Sequence, residues 1–179
     1  SRRRSEDPAY IGVPFRRLEL ESLGAVFVLD EKPARIDDSI MTTGQVPMET
    51  SYEEVDAALF LKTDTGWKQD PVLDDQAVII QRDAGLVIVL GCAHRGMMNT
   101  IYHARRLTGE KRIVAVIGGS HLISASEERF WQTVAALRDL GSPRLGLRHC
   151  TDLKSMSLLA REFGEDFIFN NAGTTIEIE

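Results

Sequence analysis

Only two of the 179 residues are cysteine, aromatic residues make up 7% of the chain, and no apolar run is longer than a strand. Each shortage excludes something. Two cysteines cannot build a disulfide scaffold, so a reducing, cytoplasmic setting is expected, and the amino terminus carries no apolar signal-peptide core. The longest apolar runs, Leu86-Val87-Ile88-Val89-Leu90 and Ile113-Val114-Ala115-Val116-Ile117, fall far short of the roughly 20 residues of a membrane span. A net charge of -6 with scattered basic residues argues against a nucleic-acid footprint, which needs Lys and Arg clustered on one face. The one basic cluster, Arg2-Arg3-Arg4 with Arg16-Arg17 nearby, reads as a solvated terminus. There is no low-complexity tract and no internal sequence repeat. Nor is there a glycine fingerprint followed by an acidic ribose contact, which weighs against a Rossmann-type nucleotide binder.

What is present is an ordinary globular composition, 43% hydrophobic and 27% charged, sufficient for a single domain with a sizeable core. Residues 1–20 read as an extended or mobile arm. The first fifty or so residues are irregular, punctuated by Pro8, Pro14, Pro33 and Pro47, with one strand expected at Ala25-Val26-Phe27-Val28-Leu29. A turn is expected at Asp64-Thr65-Gly66. The runs Gln76–Ile80 and Leu86–Leu90 then read as a hairpin closed by Asp83-Ala84-Gly85, and their continuous apolar character implies burial on both faces.

From that hairpin onward the pattern is strictly β then α. A helix after Gly96 stops at Gly109, and a strand runs from Arg112 to Ile117. A capping box at Ser124-Ala125-Ser126-Glu127 opens a helix that Gly141 ends. A strand at 144–148 leads to a helix with Thr151 as expected N-cap and Gly164 as its close. Short strands at Phe167-Ile168-Phe169 and Thr175-Ile176-Glu177-Ile178 are expected to finish the sheet.

Three of the four histidines stand just past predicted strands and before predicted helices: His94 in Gly91-Cys92-Ala93-His94, His121 in Gly118-Gly119-Ser120-His121, and His149 in Leu147-Arg148-His149-Cys150. The carboxyl ends of neighbouring strands in an open α/β sheet line one crevice, so three imidazoles delivered there can converge on a metal ion. Asp74 and Asp75, at the start of the hairpin, can add a carboxylate ligand, orient an imidazole or act as a general base. They can equally be a polar strand start. His103, inside a predicted helix, is expected to be solvated or packed. Cys92 and Cys150 each lie within two residues of a candidate ligand. They read as small core residues, with a thiolate ligand or a redox-labile pair as the alternatives.

Several strings in order carry a family resemblance: Thr43-Gly44-Gln45-Val46-Pro47, Leu73-Asp74-Asp75-Gln76, Leu90-Gly91-Cys92-Ala93-His94-Arg95-Gly96 with Asn99-Thr100, Ile117-Gly118-Gly119-Ser120-His121-Leu122, and His149-Cys150-Thr151. From about Tyr10 to its end the chain resembles the carboxyl-terminal half of a metallo-β-lactamase-fold hydrolase. The branch is the metal-dependent hydrolases similar to the dihydropterin-methyl-ribofuranosylaminobenzene-phosphate synthases. The resemblance implies an α/β fold, half of an αββα sandwich, and His94 and His149 as metal ligands with His121 at or beside the site. It places Asp74 and Asp75 at the metal's edge as the catalytic carboxylates. It further implies a divalent metal, zinc with iron or manganese as alternatives, a metal-activated water, and a small-molecule substrate that is phosphorylated or pterin-like.

Two departures accompany it. The His-x-His-x-Asp-His string of the family's amino-terminal half is absent, so a complementary chain or an amino-terminal half is expected to complete the site. Asp152 stands where the family tends to have Gly. The competing expectation is a non-catalytic binding or assembly subunit that pairs with a complementary chain.

Overall fold

The computed structural model describes residues 8–178. The triple-arginine segment therefore lies outside the described residues. Twelve named elements follow: α1 (Arg17–Ser22), β1 (Ile40–Thr42), β2 (Phe60–Thr63), β3 (Gly66–Gln69), β4 (Ala77–Arg82), β5 (Gly85–Leu90), α2 (Met97–Thr108), β6 (Ile113–Gly118), α3 (Glu127–Asp139), β7 (Arg144–Leu147), α4 (Leu153–Phe163) and β8 (Phe167–Phe169). One six-stranded sheet runs in the order β1-β4-β5-β6-β7-β8, and β2 and β3 form a separate hairpin. Strands β1, β4 and β5 pair antiparallel, whereas β5 through β8 pair parallel. Helices α2, α3 and α4 are the crossovers that parallel neighbours require.

The sheet has two unlike faces. Ile79, Leu86, Ile88, Val116, Leu145 and Leu147 point into one core with Met98, Ile101, Leu137, Met156 and Leu159 of the helices, all fully buried. The period-2 alternation of a strand sends the intervening residues to the opposite face. There Val78, Ile80, Val89 and Ile117 remain half-buried, and Val78 pairs Val89, which pairs Ile117. Helices on one side of an apolar sheet are what half of a sandwich presents.

The hairpin and the three β-then-α units form where the apolar runs placed them, and helix α2 ends at Gly109 in a left-handed conformation. Four expectations are corrected. Residues 25–29 form no strand, because no neighbour among the described residues supplies a hydrogen-bonding ladder and Val26 and Val28 stand exposed. Residues 175–178 are likewise irregular, although Ile176 packs over Gly146. Part of the supposed amino-terminal arm is helical: the Glu19 carboxylate accepts the Arg16 N–H at 3.0 Å and Arg17 pairs with Glu21 one turn on. The caps are each shifted by one or two residues. Ser126 accepts the Arg129 N–H at 3.1 Å to open α3, and Asp152 accepts the Ser155 N–H at 2.9 Å to open α4.

Displacing Thr151 from capping frees it for another bond. Its hydroxyl lies 2.8 Å from that of buried Ser120 and donates to the His149 carbonyl at 3.2 Å. The residue that departs from the family pattern, Asp152, thus takes over the cap.

Candidate metal centre

Parallel β5, β6 and β7 deliver three loops to the same edge of the sheet: Gly91–Gly96, Gly119–Ser126 and Arg148–Asp152. Antiparallel β4 begins at that edge, because Ala77 pairs with Leu90, so Asp74 and Asp75 arrive beside the first loop. The Gly119 N–H donates to the Gly91 carbonyl at 2.9 Å. A Cβ on Gly119 would stand 2.4 Å from Gly91 O, 2.9 Å from Cys92 Cα and 3.0 Å from His149 O, so only glycine lets the three loops close together.

Three non-glycine residues in these loops adopt left-handed backbone: Ala93 at φ 57°, His121 at φ 46° and Cys150 at φ 52°. Such conformations cost about 1–3 kcal/mol each and persist only where surrounding structure enforces them. Each lies at, or next to, one of the three loop histidines.

The His94 and His121 rings face one another, with centroids 4.2 Å apart and planes inclined by 53°. His94 Nδ1 and both ring nitrogens of His121 are buried with no hydrogen-bond partner among the described residues. His121 Nε2 lies 3.8 Å from the Asp56 carboxylate, beyond hydrogen-bond length. Burial, and then the neighbouring His94, depress the His121 pKa, which leaves a neutral imidazole with a free lone pair.

Asp75 Oδ2 accepts the Arg95 N–H at 2.8 Å. Burial raises the Asp75 pKa, opposed by that hydrogen bond and by His94. Asp74 is exposed. The Arg95 side chain donates to the carbonyls of Val46 and Pro71, which fastens the irregular segment onto the loop.

His149 is exposed, with Nε2 3.1 Å from Cys92 Sγ. Among the described residues, the three-donor group gathered within 4.8 Å is Cys92, His149 and Cys150, rather than the three histidines. The two cysteines are half-buried at the crevice and free, not the core residues expected from sequence. Burial, and then the adjacent Cys150, push the Cys92 thiol up to about 11. His103 occupies the packed position expected of it, 3.1 Å from the Thr43 carbonyl.

Sequence reasoning missed two contributors. Glu53, 5% exposed, accepts the N–H groups of Met98 and Asn99 at 2.9 and 2.7 Å, capping α2 from a distant segment. Asp56 faces His121. Both lie in irregular chain whose periodicity carries no signal.

Buried, unpartnered imidazole nitrogens beside a carboxylate, with thiols close by, are donors that fit a divalent transition-metal cation.

No protein-family model matches the chain. Over 162 residues it is 34% identical to the 7,8-dihydropterin-6-methyl-4-(β-D-ribofuranosyl)-aminobenzene-5'-phosphate synthase of Methanocaldococcus jannaschii, a match covering 89% of the chain and 55% of that protein. An uncharacterised protein of the same organism is 27% identical over 169 residues, covering 94% of the chain and 61% of its own length. The crystal structure of Tm1679, a metal-dependent hydrolase of the β-lactamase superfamily, superposes with a TM-score of 0.74 at 26% identity, over 86% of the chain and 58% of that structure. The sheet, its one-sided helices and these likenesses define the class: the chain has an α/β fold corresponding to the carboxyl-terminal half of the αββα sandwich of the metallo-β-lactamase superfamily, whose members it resembles. It spans 55% and 61% of the two curated relatives, one of them a pterin-related phosphate synthase by name.

Proposed function

We propose that this chain forms the carboxyl-terminal part of a metal-dependent hydrolase, or related transferase, acting on a small phosphorylated, pterin-like molecule. The observation that carries the reading is the facing pair of half-buried His94 and buried His121 at the ends of parallel strands, with His94 Nδ1 and both His121 nitrogens buried and unpartnered among the described residues. A polar group buried without a partner costs roughly 1–3 kcal/mol, and a cation at this point removes that cost. His94, His121 and His149 would hold the metal, zinc or alternatively iron or manganese. Such an ion supplies a Lewis acid and a nucleophilic water at neutral pH.

The remaining work falls to the chain's own groups. Asp75, fixed by the Arg95 N–H, orients the first loop and offers a carboxylate to the crevice. Asp74, exposed beside it, is the carboxylate free to accept a proton from solvent or substrate. The substrate class comes from the synthase relative and the reaction class from the hydrolase neighbour, which are analogies at the level of family.

A second reading is favoured by the sheet's other face. Val78, Ile80, Val89 and Ile117 form a half-buried apolar strip that a further protein layer would cover, from a complementary chain or an amino-terminal half. In its non-catalytic form this reading makes the chain an assembly subunit.

Hydrolysis of a chromogenic phosphoester by the purified chain, supplied in turn with Zn(II), Fe(II) and Mn(II), separates the two. Turnover above the metal-only control that His94→Ala abolishes supports the hydrolase. An equal rate with His94→Ala overturns it.

A further inference from the structure

We propose that Cys92 and Cys150 are a reversible disulfide site, which ties the loop after β5 to the loop after β7 when a low-molecular-weight disulfide of the glutathione class oxidises the chain. Both thiols are free and half-buried, and their sulfurs stand within 4.8 Å of one another. A disulfide draws its sulfurs to about 2 Å, and the remaining closure falls to side chains that solvent reaches. The backbone is already close. Cys92 Cα and the carbonyl oxygen of His149, the residue before Cys150, lie 2.9 and 3.0 Å from the point where a Gly119 Cβ would stand. They are therefore within about 6 Å of each other, the scale of the roughly 4.4–6.8 Å between Cα atoms across a disulfide.

The two residues are far apart in sequence, so the fold alone brings them together. Parallel β5, β6 and β7 deliver the loops to one edge, and the Ser120 and Thr151 hydroxyls, 2.8 Å apart, anchor the second loop. Cys150 is held at φ 52°, a conformation a non-glycine residue keeps only when its surroundings demand it. In the exchange, one cysteine gives up its proton and its thiolate attacks a sulfur of the oxidant, forming a mixed disulfide. The departing small thiolate takes up that proton. The second cysteine then attacks the protein sulfur of the mixed disulfide, closes the Cys92–Cys150 bond and expels the second small thiol with the second proton. Two protein thiols are oxidised, and one small disulfide is reduced to two thiols. The bridge draws Cys92 Sγ out of its 3.1 Å contact with His149 Nε2 and braces the crevice covalently. It needs no metal and is independent of the hydrolase reading.

Oxidised glutathione is the direct probe, added to the reduced chain in the presence of a chelator so that no ion shields the thiols. Free thiol should fall from the two cysteines of the chain to below about 0.2 equivalents, with the mass of two hydrogens lost and no glutathione retained. A dithiol reductant should restore both thiols. The melting temperature should rise on oxidation, because the bridge restrains the unfolded chain. Cys92→Ser and Cys150→Ser should each retain glutathione on the remaining cysteine. In urea, where the fold no longer holds the sulfurs together, the mixed disulfide of the unsubstituted chain should persist at least about tenfold longer. Thiols that stay free, glutathione retained on both cysteines, bridges only between chains, or an equal lifetime of the adduct in urea would overturn the proposal, and each is read on the unsubstituted chain. A bridge within one chain without His94-dependent phosphoester turnover would leave this site standing and remove the hydrolase reading alone.

Discussion

Gly119 donates its backbone N–H to the carbonyl of Gly91 at 2.9 Å, and this single contact closes the exit of β6 against that of β5. A methyl group at position 119 would meet Gly91 O at 2.4 Å, which is backbone and cannot swing aside. Gly119→Ala should therefore destabilise the fold by about 1–3 kcal/mol, the usual range for overpacking, in urea unfolding. It should also weaken metal uptake, because His149 O and Cys92 Cα lie on the same side of the clash. Unchanged unfolding would show that the loops are held together by other means.

The segment holding Glu53 is irregular, yet it caps α2 with a buried carboxylate on the Met98 and Asn99 N–H groups. Glu53→Ala would leave two buried donors without partners. A loss of about 2–3 kcal/mol is expected, measured by thermal unfolding with the helix content followed in parallel. A loss below about 0.5 kcal/mol, the scale of an ordinary surface change, would contradict the capping role.

How legible this was in the sequence follows from where each signal comes from. The hairpin and the three β-then-α units were readable because Leu86–Leu90, Ile113–Ile117 and the helix-ending Gly109 and Gly141 carry periodic or positional chemistry of their own. Residues 25–29 carried the same apolar signal and failed, because a strand also needs a neighbour, and none of the described residues pairs with it. In the site, the strand-end positions placed His94 and His121 within ring contact, but no spacing rule could show that His149 turns toward Cys92 instead. Glu53 and Asp56 were silent for a related reason: their roles depend entirely on partners distant in sequence.

His103 provides a pH-dependent test away from the crevice. Its Nε2 lies 3.1 Å from the Thr43 carbonyl and its Nδ1 accepts from Arg106 at 3.2 Å, so both nitrogens are satisfied only in the neutral ring. Burial lowers its pKa from the ordinary 6.5, aided by Arg106 and opposed by the Thr43 contact and Glu49. The unfolded chain then binds the proton more readily than the folded one. Stability from this residue is complete above pH 6.5 and is lost as pH falls from 6.5 toward the lowered value. His103→Gln should flatten the melting-temperature profile across that window. An identical profile in the variant would refute the assignment.

The adjacent carboxylates should behave differently. Asp75 is partly buried and accepts the Arg95 N–H, whereas Asp74 is exposed. Asp75→Ala is expected to cost about 1–2 kcal/mol in denaturant unfolding, and Asp74→Ala less than about 0.5 kcal/mol. Equal losses would mean that the Arg95 contact contributes nothing.

The most direct measurement is the metal content of the purified, tag-free chain, for zinc, iron and manganese per protomer, against His94→Ala/His121→Ala. The facing imidazoles, with three buried ring nitrogens unpartnered among the described residues, should hold an ion, so the double variant is expected to carry about one ion fewer per protomer than the unsubstituted chain. The same content in both proteins, or none above background in the unsubstituted chain after reconstitution, would contradict a metal centre built on these two histidines.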